Sequence, residues 1–88
     1  MKIKDGFVLR NIGDNYMVVG EGLAQIDFNK IISLNDTAAF LWKAVQRKDF
    51  DVETLRDLLL GEYDVDEATA LKDATTLVEK WVAVGLVE

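Results

Sequence analysis

The residue types that carry most enzymatic chemistry are missing from this 88-residue chain. It has no Cys and no His, which removes thiolate nucleophiles, imidazole bases and the usual zinc ligands together. Carboxylates, lysines and hydroxyls remain, none in a recognised catalytic spacing. Asp64, Asp66 and Glu67 come closest to a cluster, but they fall where a helix begins, and the helix dipole alone favours carboxylates there. A calcium loop of the EF-hand kind would need a Gly-centred twelve-residue loop with a distal bidentate Glu, and neither is present. Gly20 and Gly22 form a GxG that lacks the third Gly, the following helix and the βαβ setting of a dinucleotide site, so they read as turn glycines. Trp42 and Trp81 fall on apolar helical stripes and are expected in the core, where each indole N–H will need an acceptor. The expectation is a chain with no catalytic residue, no cofactor and no metal.

Composition narrows the partners. Sixteen acidic against ten basic residues give a net charge of −6, which repels phosphate backbones and anionic membranes at long range and also favours solubility. Neither nucleic acid nor membrane is expected as a partner. MKIKDGFVLR breaks at Asp5 before an apolar segment can form, so it is not a signal peptide. No run approaches the roughly 18 apolar residues of a membrane span. The chain is expected to be soluble and cytoplasmic. Residues 1–88 form one domain, and 50% hydrophobic residues with eight aromatics supply a small core without disulfide or metal.

The elements that must build any site divide at Ile31–Trp42, IISLNDTAAFLW. Upstream, Phe7–Ile12 and Tyr16–Val19 flank the turn Gly13-Asp14-Asn15 and read as a hairpin. Leu23–Phe28 alternates, with Ala24, Ile26 and Phe28 on one face, and Asn29-Lys30 is a plausible turn into Ile31–Leu34. In that last strand Ile32 and Leu34 face the core, Ile31 and Ser33 the other side. Downstream, Asn35, Asp36 and Thr37 offer capping oxygens to a helix running to about Arg47. Asp51 caps a second helix stopped near Gly61. Asp64 with Glu67 resembles a capping box for a third helix, ending near Val84 before Gly85. On that helix Ala70, Leu71, Ala74, Leu77, Val78, Trp81 and Val82 span an arc of roughly 140°, wider than one contact seam, which suits one flank packing on the sheet and the other on the first two helices, or else one flank left open as a groove wall. Leu86 and Val87 tuck back onto the core. Strands followed by helices make an α+β domain.

In this order, the FVLRNI opening, Leu34-Asn35 with Thr37 and Ala38 behind it, DVETLRDLLLGEYDVD and the DATTLVEKWVAVGLV ending resemble the PqqD-like family, from about Phe7 to Val87. The resemblance implies a winged helix-turn-helix-like fold: a small N-terminal antiparallel sheet followed by three helices. It also implies a non-catalytic recognition element. The leader of a ribosomally made precursor peptide adds as a strand to the sheet and lies against the third helix, presenting its core region to a modifying enzyme such as a radical SAM protein. Physically this is β-augmentation. Two departures, the missing Pro-Glu pair after the early strands and QRKDFD in place of a Gly-centred turn, fit the broader family rather than PqqD proper.

Carried onto this chain, the resemblance makes Ile31, Ile32, Ser33 and Leu34 the receiving edge. Leu71, Thr75, Val78 and Val82 become the facing wall, with the flank of Leu77 and Trp81 as the alternative. The competing readings are a winged-helix DNA binder and a homo-oligomeric structural module in which a second copy takes the open edge. The first suffers from Asp66, Glu67, Asp73 and Glu79 against only Lys72 and Lys80 on the third helix. A monomer or weak dimer is expected.

Overall fold

The computed structural model describes residues 1–20 and 31–88, Ile31 by its backbone. The expected strand Leu23–Phe28 and the turn Asn29-Lys30 lie outside the described residues. Three strands, β1 (Phe7–Ile12), β2 (Asn15–Gly20) and β3 (Ile31–Leu34), form an antiparallel sheet in the order β1-β2-β3. Three helices follow: α1 (Asp36–Val45), α2 (Val52–Glu62) and α3 (Glu67–Ala83). The α+β order read from the sequence is the one observed.

Gly13 and Asp14 form a two-residue loop in which Gly13 has φ +63°, the left-handed conformation that the first position of a tight hairpin turn demands and Gly adopts without strain. The register then places Phe7, Leu9, Tyr16, Val18, Ile32 and Leu34 on one face. Val18, Ile32 and Leu34 are buried there, and Phe7, Leu9 and Tyr16 pack against them. On β3 the expected alternation holds: Ile32 and Leu34 are buried while Ser33 is exposed.

Asn35 ends the strand and starts the helix. Its Oδ1 accepts the Ala38 N–H at 2.8 Å, so α1 begins two residues after Leu34 has entered the core. The helix buries Ala38, Ala39, Leu41, Trp42 and Val45 and stops two residues short of the expected Arg47. Lys43 reaches back over the ring of Tyr16, its Nζ 4.9 Å from the centroid, and ties α1 to β2.

Asp51 caps α2 as expected, accepting from the Thr54 N–H at 2.8 Å, while the Thr54 hydroxyl accepts the Asp51 N–H. Gly61 does not stop this helix. The helix continues through Glu62 and ends on Tyr63, whose extended backbone still donates to the Leu59 carbonyl at 2.9 Å.

The cap of α3 is Asp66, not Asp64. The Asp66 carboxylate accepts the Thr69 N–H at 2.7 Å. Starting there leaves Val65 just outside the helix, where it packs on the core together with Ala70 in the first turn. That apolar staple fixes the entry, and a helix begun at Asp64 would lose it.

At the other end Gly85 takes φ +79°, its N–H donates to Val82 O, and Leu86 N–H donates to Trp81 O at 2.9 Å. These are the two bonds of a Schellman cap, with Leu86 and Trp81 as its apolar pair. Both are fully buried. Trp81 stands edge-on to Trp42 (5.3 Å between ring centres) and Phe50 (6.1 Å), so both tryptophans are core residues as expected, but the Trp81 Nε1–H meets no acceptor among the described residues, against the expectation for a buried indole.

The chain then closes on itself. Ile3 bridges Val87, Lys2 and Glu88 exchange N–H···O bonds of 3.0 and 2.8 Å, and Lys4 N–H donates to Leu86 O. Ile3, Leu86 and Val87 are all buried.

Candidate functional site

β3 has β2 on one side and no strand on the other among the described residues. Which of its backbone groups are free follows from the hairpin. A two-residue loop closes on a hydrogen-bonded pair, here Ile12 and Asn15, and bonded and non-bonded pairs alternate from there. Asn15, Met17 and Val19 therefore turn their N–H and C=O groups to β1, while Tyr16 and Val18 turn theirs to β3, opposite Leu34 and Ile32. The N–H and C=O groups of Ile31 and Ser33 point outward from the edge that no described strand covers, on a strand whose other two residues anchor it in the core.

A pocket of about 390 Å³ opens where this edge ends, within the range of roughly 300–1,000 Å³ typical of ligand pockets. Asn35, Thr37, Ala38 and Leu41, at the start of α1, form one wall, and Leu59 of α2 contributes to the lining. The opposite wall is a stripe of α3, Asp73, Thr76, Leu77 and Lys80, whose spacing of three, four and seven residues keeps it on one side of the helix. The lining is mixed, with aliphatic side chains between polar and charged ones. Among the described residues neither Asp73 nor Lys80 has an ion-pair partner. Arg56, by contrast, is engaged by Asp57 at 3.1 Å and Glu67 at 3.8 Å, linking α2 to α3.

The residues proposed from sequence separate into two groups. Ile31–Leu34 form the edge strand that runs to the pocket, with Leu34 buried immediately before Asn35. Leu71, Thr75, Val78 and Val82 do not line this pocket. At about 100° per residue they lie on the other side of the buried line through Ala70, Ala74 and Trp81. Leu71 and Val82 are exposed, Val78 is buried, and the Thr75 hydroxyl is turned onto its own helix, donating to Leu71 O at 2.8 Å. The flank facing the β3–α1 junction is the alternative one, through Leu77. On α3, Asp73, Thr76 and Lys80 are polar or charged and break the apolar period, so only their own spacing along the helix could signal them; Leu59 of α2 reads from sequence simply as a core residue.

The ionisable side chains lining the pocket are Asp73 and Lys80. Of the other carboxylates once weighed as a cluster, Asp66 is committed to capping: hydrogen bonds from Thr69, first its backbone N–H, hold its carboxyl below the ordinary carboxylate range.

Among curated protein sequences none matches this chain. A solved structure, TbiB1 in complex with the TbiA(beta) leader peptide, superposes with a TM-score of 0.78 over 100% of this chain and 95% of that one, at 22% sequence identity. The shared architecture is thus the whole fold rather than a fragment of it. The family model described as coenzyme PQQ synthesis protein D (PqqD) matches residues 8–87, which takes in the sheet, the Leu34-Asn35 junction and all three helices, and the chain therefore belongs to the PqqD family.

Proposed function

We propose that this protein is a non-catalytic recognition module that binds the leader segment of a ribosomally made precursor peptide by strand addition and presents it to a modifying enzyme. The observation that carries this reading is the outward-facing backbone of Ile31 and Ser33, running directly into the pocket between α1 and α3. An extended peptide paired with that edge gains main-chain hydrogen bonds, and its alternate side chains reach the pocket, which divides the work into affinity and selectivity. Family membership and the likeness to a fold that holds a leader peptide support the same reading. The receiving strand is Ile31, Ile32, Ser33 and Leu34, and the facing wall is the Thr76–Leu77 flank of α3 in preference to Leu71, Thr75, Val78 and Val82. The modifying enzyme is a separate protein such as a radical SAM enzyme, the setting is the cytoplasm, and the module works as a monomer or weak dimer. Among the described residues no helix is long and apolar enough to cross a membrane. The acidic residues of α3 disfavour duplex DNA as the occupant of the same architecture.

The test is an amide NMR titration with a synthetic leader segment of a ribosomally made precursor peptide. Shifts concentrated at Ile31–Leu34 and at Thr76–Lys80 are expected. Shifts confined to α2 and β1, or none at saturating peptide, would remove the proposal.

A further inference from the structure

We infer that the pocket between α1 and α3 selects, within the added strand, an apolar side chain flanked two residues away on each side by opposite charges, the basic one meeting Asp73 and the acidic one Lys80. This rests on the strand-addition reading and specifies what that strand must carry.

Three observations bear it. Leu41, Leu59 and Leu77 give the pocket its aliphatic lining, and Leu77 lies between Asp73 and Lys80 along α3, so a side chain seated between the two charges loses least by being apolar. Asp73 and Lys80 close its two ends on α3, seven residues and about 10.5 Å apart along the helix axis. Positions two before and two after the centre of a strand point to the same side as the centre and lie about 13 Å apart. The mismatch is small against the reach of a lysine, so both charges can be met while the centre stays on Leu77. Both charges are also uncommitted: neither has an ion-pair partner among the described residues. The other opposite-charge pair seven residues apart on α3, Lys72 and Glu79, is exposed and does not line this pocket.

Opposite charges at the two ends also fix direction. A strand presenting basic-x-apolar-x-acidic in one orientation meets both charges, and the reversed strand opposes both. The pocket would thereby reject a peptide that pairs with β3 in the wrong sense, which main-chain hydrogen bonds alone discriminate weakly.

The experiment is a display selection of random 12-residue peptides on the folded protein and on the double variant Asp73→Lys with Lys80→Asp. Both substituted positions are exposed, and circular dichroism establishes that the two baits are equally folded. Wild-type protein is expected to enrich peptides with an apolar residue bracketed at two positions by opposite charges in one fixed order. The double variant is expected to enrich the reversed order. Synthetic peptides of the two orders should differ in affinity by about threefold to tenfold, the size that two partly exposed pairs give, with the preference inverted by the double variant. Enriched peptides that show no charge order, or the same order on both baits, would overturn this inference while leaving strand addition standing. Failure to enrich any extended peptide on either bait would overturn both.

Discussion

Two glycines in α2 and at the end of α3 look alike in sequence and behave oppositely in structure. Gly61 sits inside α2 with open space where a Cβ would stand, so Gly61→Ala should stabilise the protein by about 0.5–1 kcal/mol. Gly85 holds φ +79°, and Gly85→Ala should cost about 1–2 kcal/mol, because a side chain in the left-handed region meets the following carbonyl. A chain this size shifts its melting temperature about 4–8 °C per kcal/mol, so thermal melts of the two variants should move in opposite directions. The caps make a second residue-scale prediction. Asp51 and Asp66 both lie below the ordinary carboxylate range because each accepts hydrogen bonds from the threonine three residues on, first from its backbone N–H. A carboxyl lowered on folding contributes stability that is present at neutral pH and lost as pH falls from the unfolded value, about 3.9, through the folded one. Replacing both with Asn keeps an acceptor that does not titrate. The urea midpoint of Asp51→Asn with Asp66→Asn should therefore decline less between pH 5 and 2 than that of the parent.

The elements were legible from sequence where one local signal governed each. The β1–β2 turn, the strand Ile31–Leu34, the Asn35 junction and the end of α3 at Gly85 all rest on a turn residue or a change of hydrophobic period, and they stand where those signals put them, except that Asn15 belongs to β2 and leaves Gly13-Asp14 as the loop. The misreadings came where two signals of equal strength competed. Asp64-Glu67 and Asp66-Thr69 have the same spacing, and only the packing of Val65 and Ala70 on the core selects the second. Gly61 alone signals a stop, but the apolar residues of α2 and the Tyr63 bond to Leu59 carry the helix past it. The pocket was less visible still, since it belongs to no one element: Asn35 and Thr37, Leu59, and Asp73 to Lys80 meet only through tertiary packing. Strand register, by contrast, yields a sharp prediction. The Ser33 N–H points out of the sheet while the Ile32 N–H points to β2. Ser33→Pro should therefore leave the melting temperature within a few degrees of the parent, since proline is tolerated on an outer edge, yet reduce leader binding at least about tenfold through loss of a main-chain donor. Ile32→Pro should lower stability instead, as it breaks the ladder and empties a core position. Calorimetry of leader binding alongside thermal melts separates the two; equal binding by parent and Ser33→Pro would exclude β3 as the receiving edge.

At the scale of the molecule, one short ribbon holds both ends of the folded chain to the core. Ile3 is 4% exposed and pairs with Val87, while Met1 exchanges backbone bonds with Phe50. Ile3→Ala should cost about 2–4 kcal/mol as a large-to-small core change, read as a drop in urea midpoint, and should raise hydrogen exchange first at residues 86–88. Leader binding should persist in the folded fraction, because Ile3 does not line the pocket. The ribbon also sets an order in time. Residue 88 must be in place before Lys2 can bond to it, and closing so long a loop is the most costly single contact in chain entropy. During synthesis, which proceeds from the N-terminus at about 5–20 residues per second, the hairpin, β3 and α1 are available well before Trp81 and Leu86 arrive to complete the core beneath them. The pairing of Lys2 with Glu88 is thus a last fastening, made only when every wall of the pocket already exists.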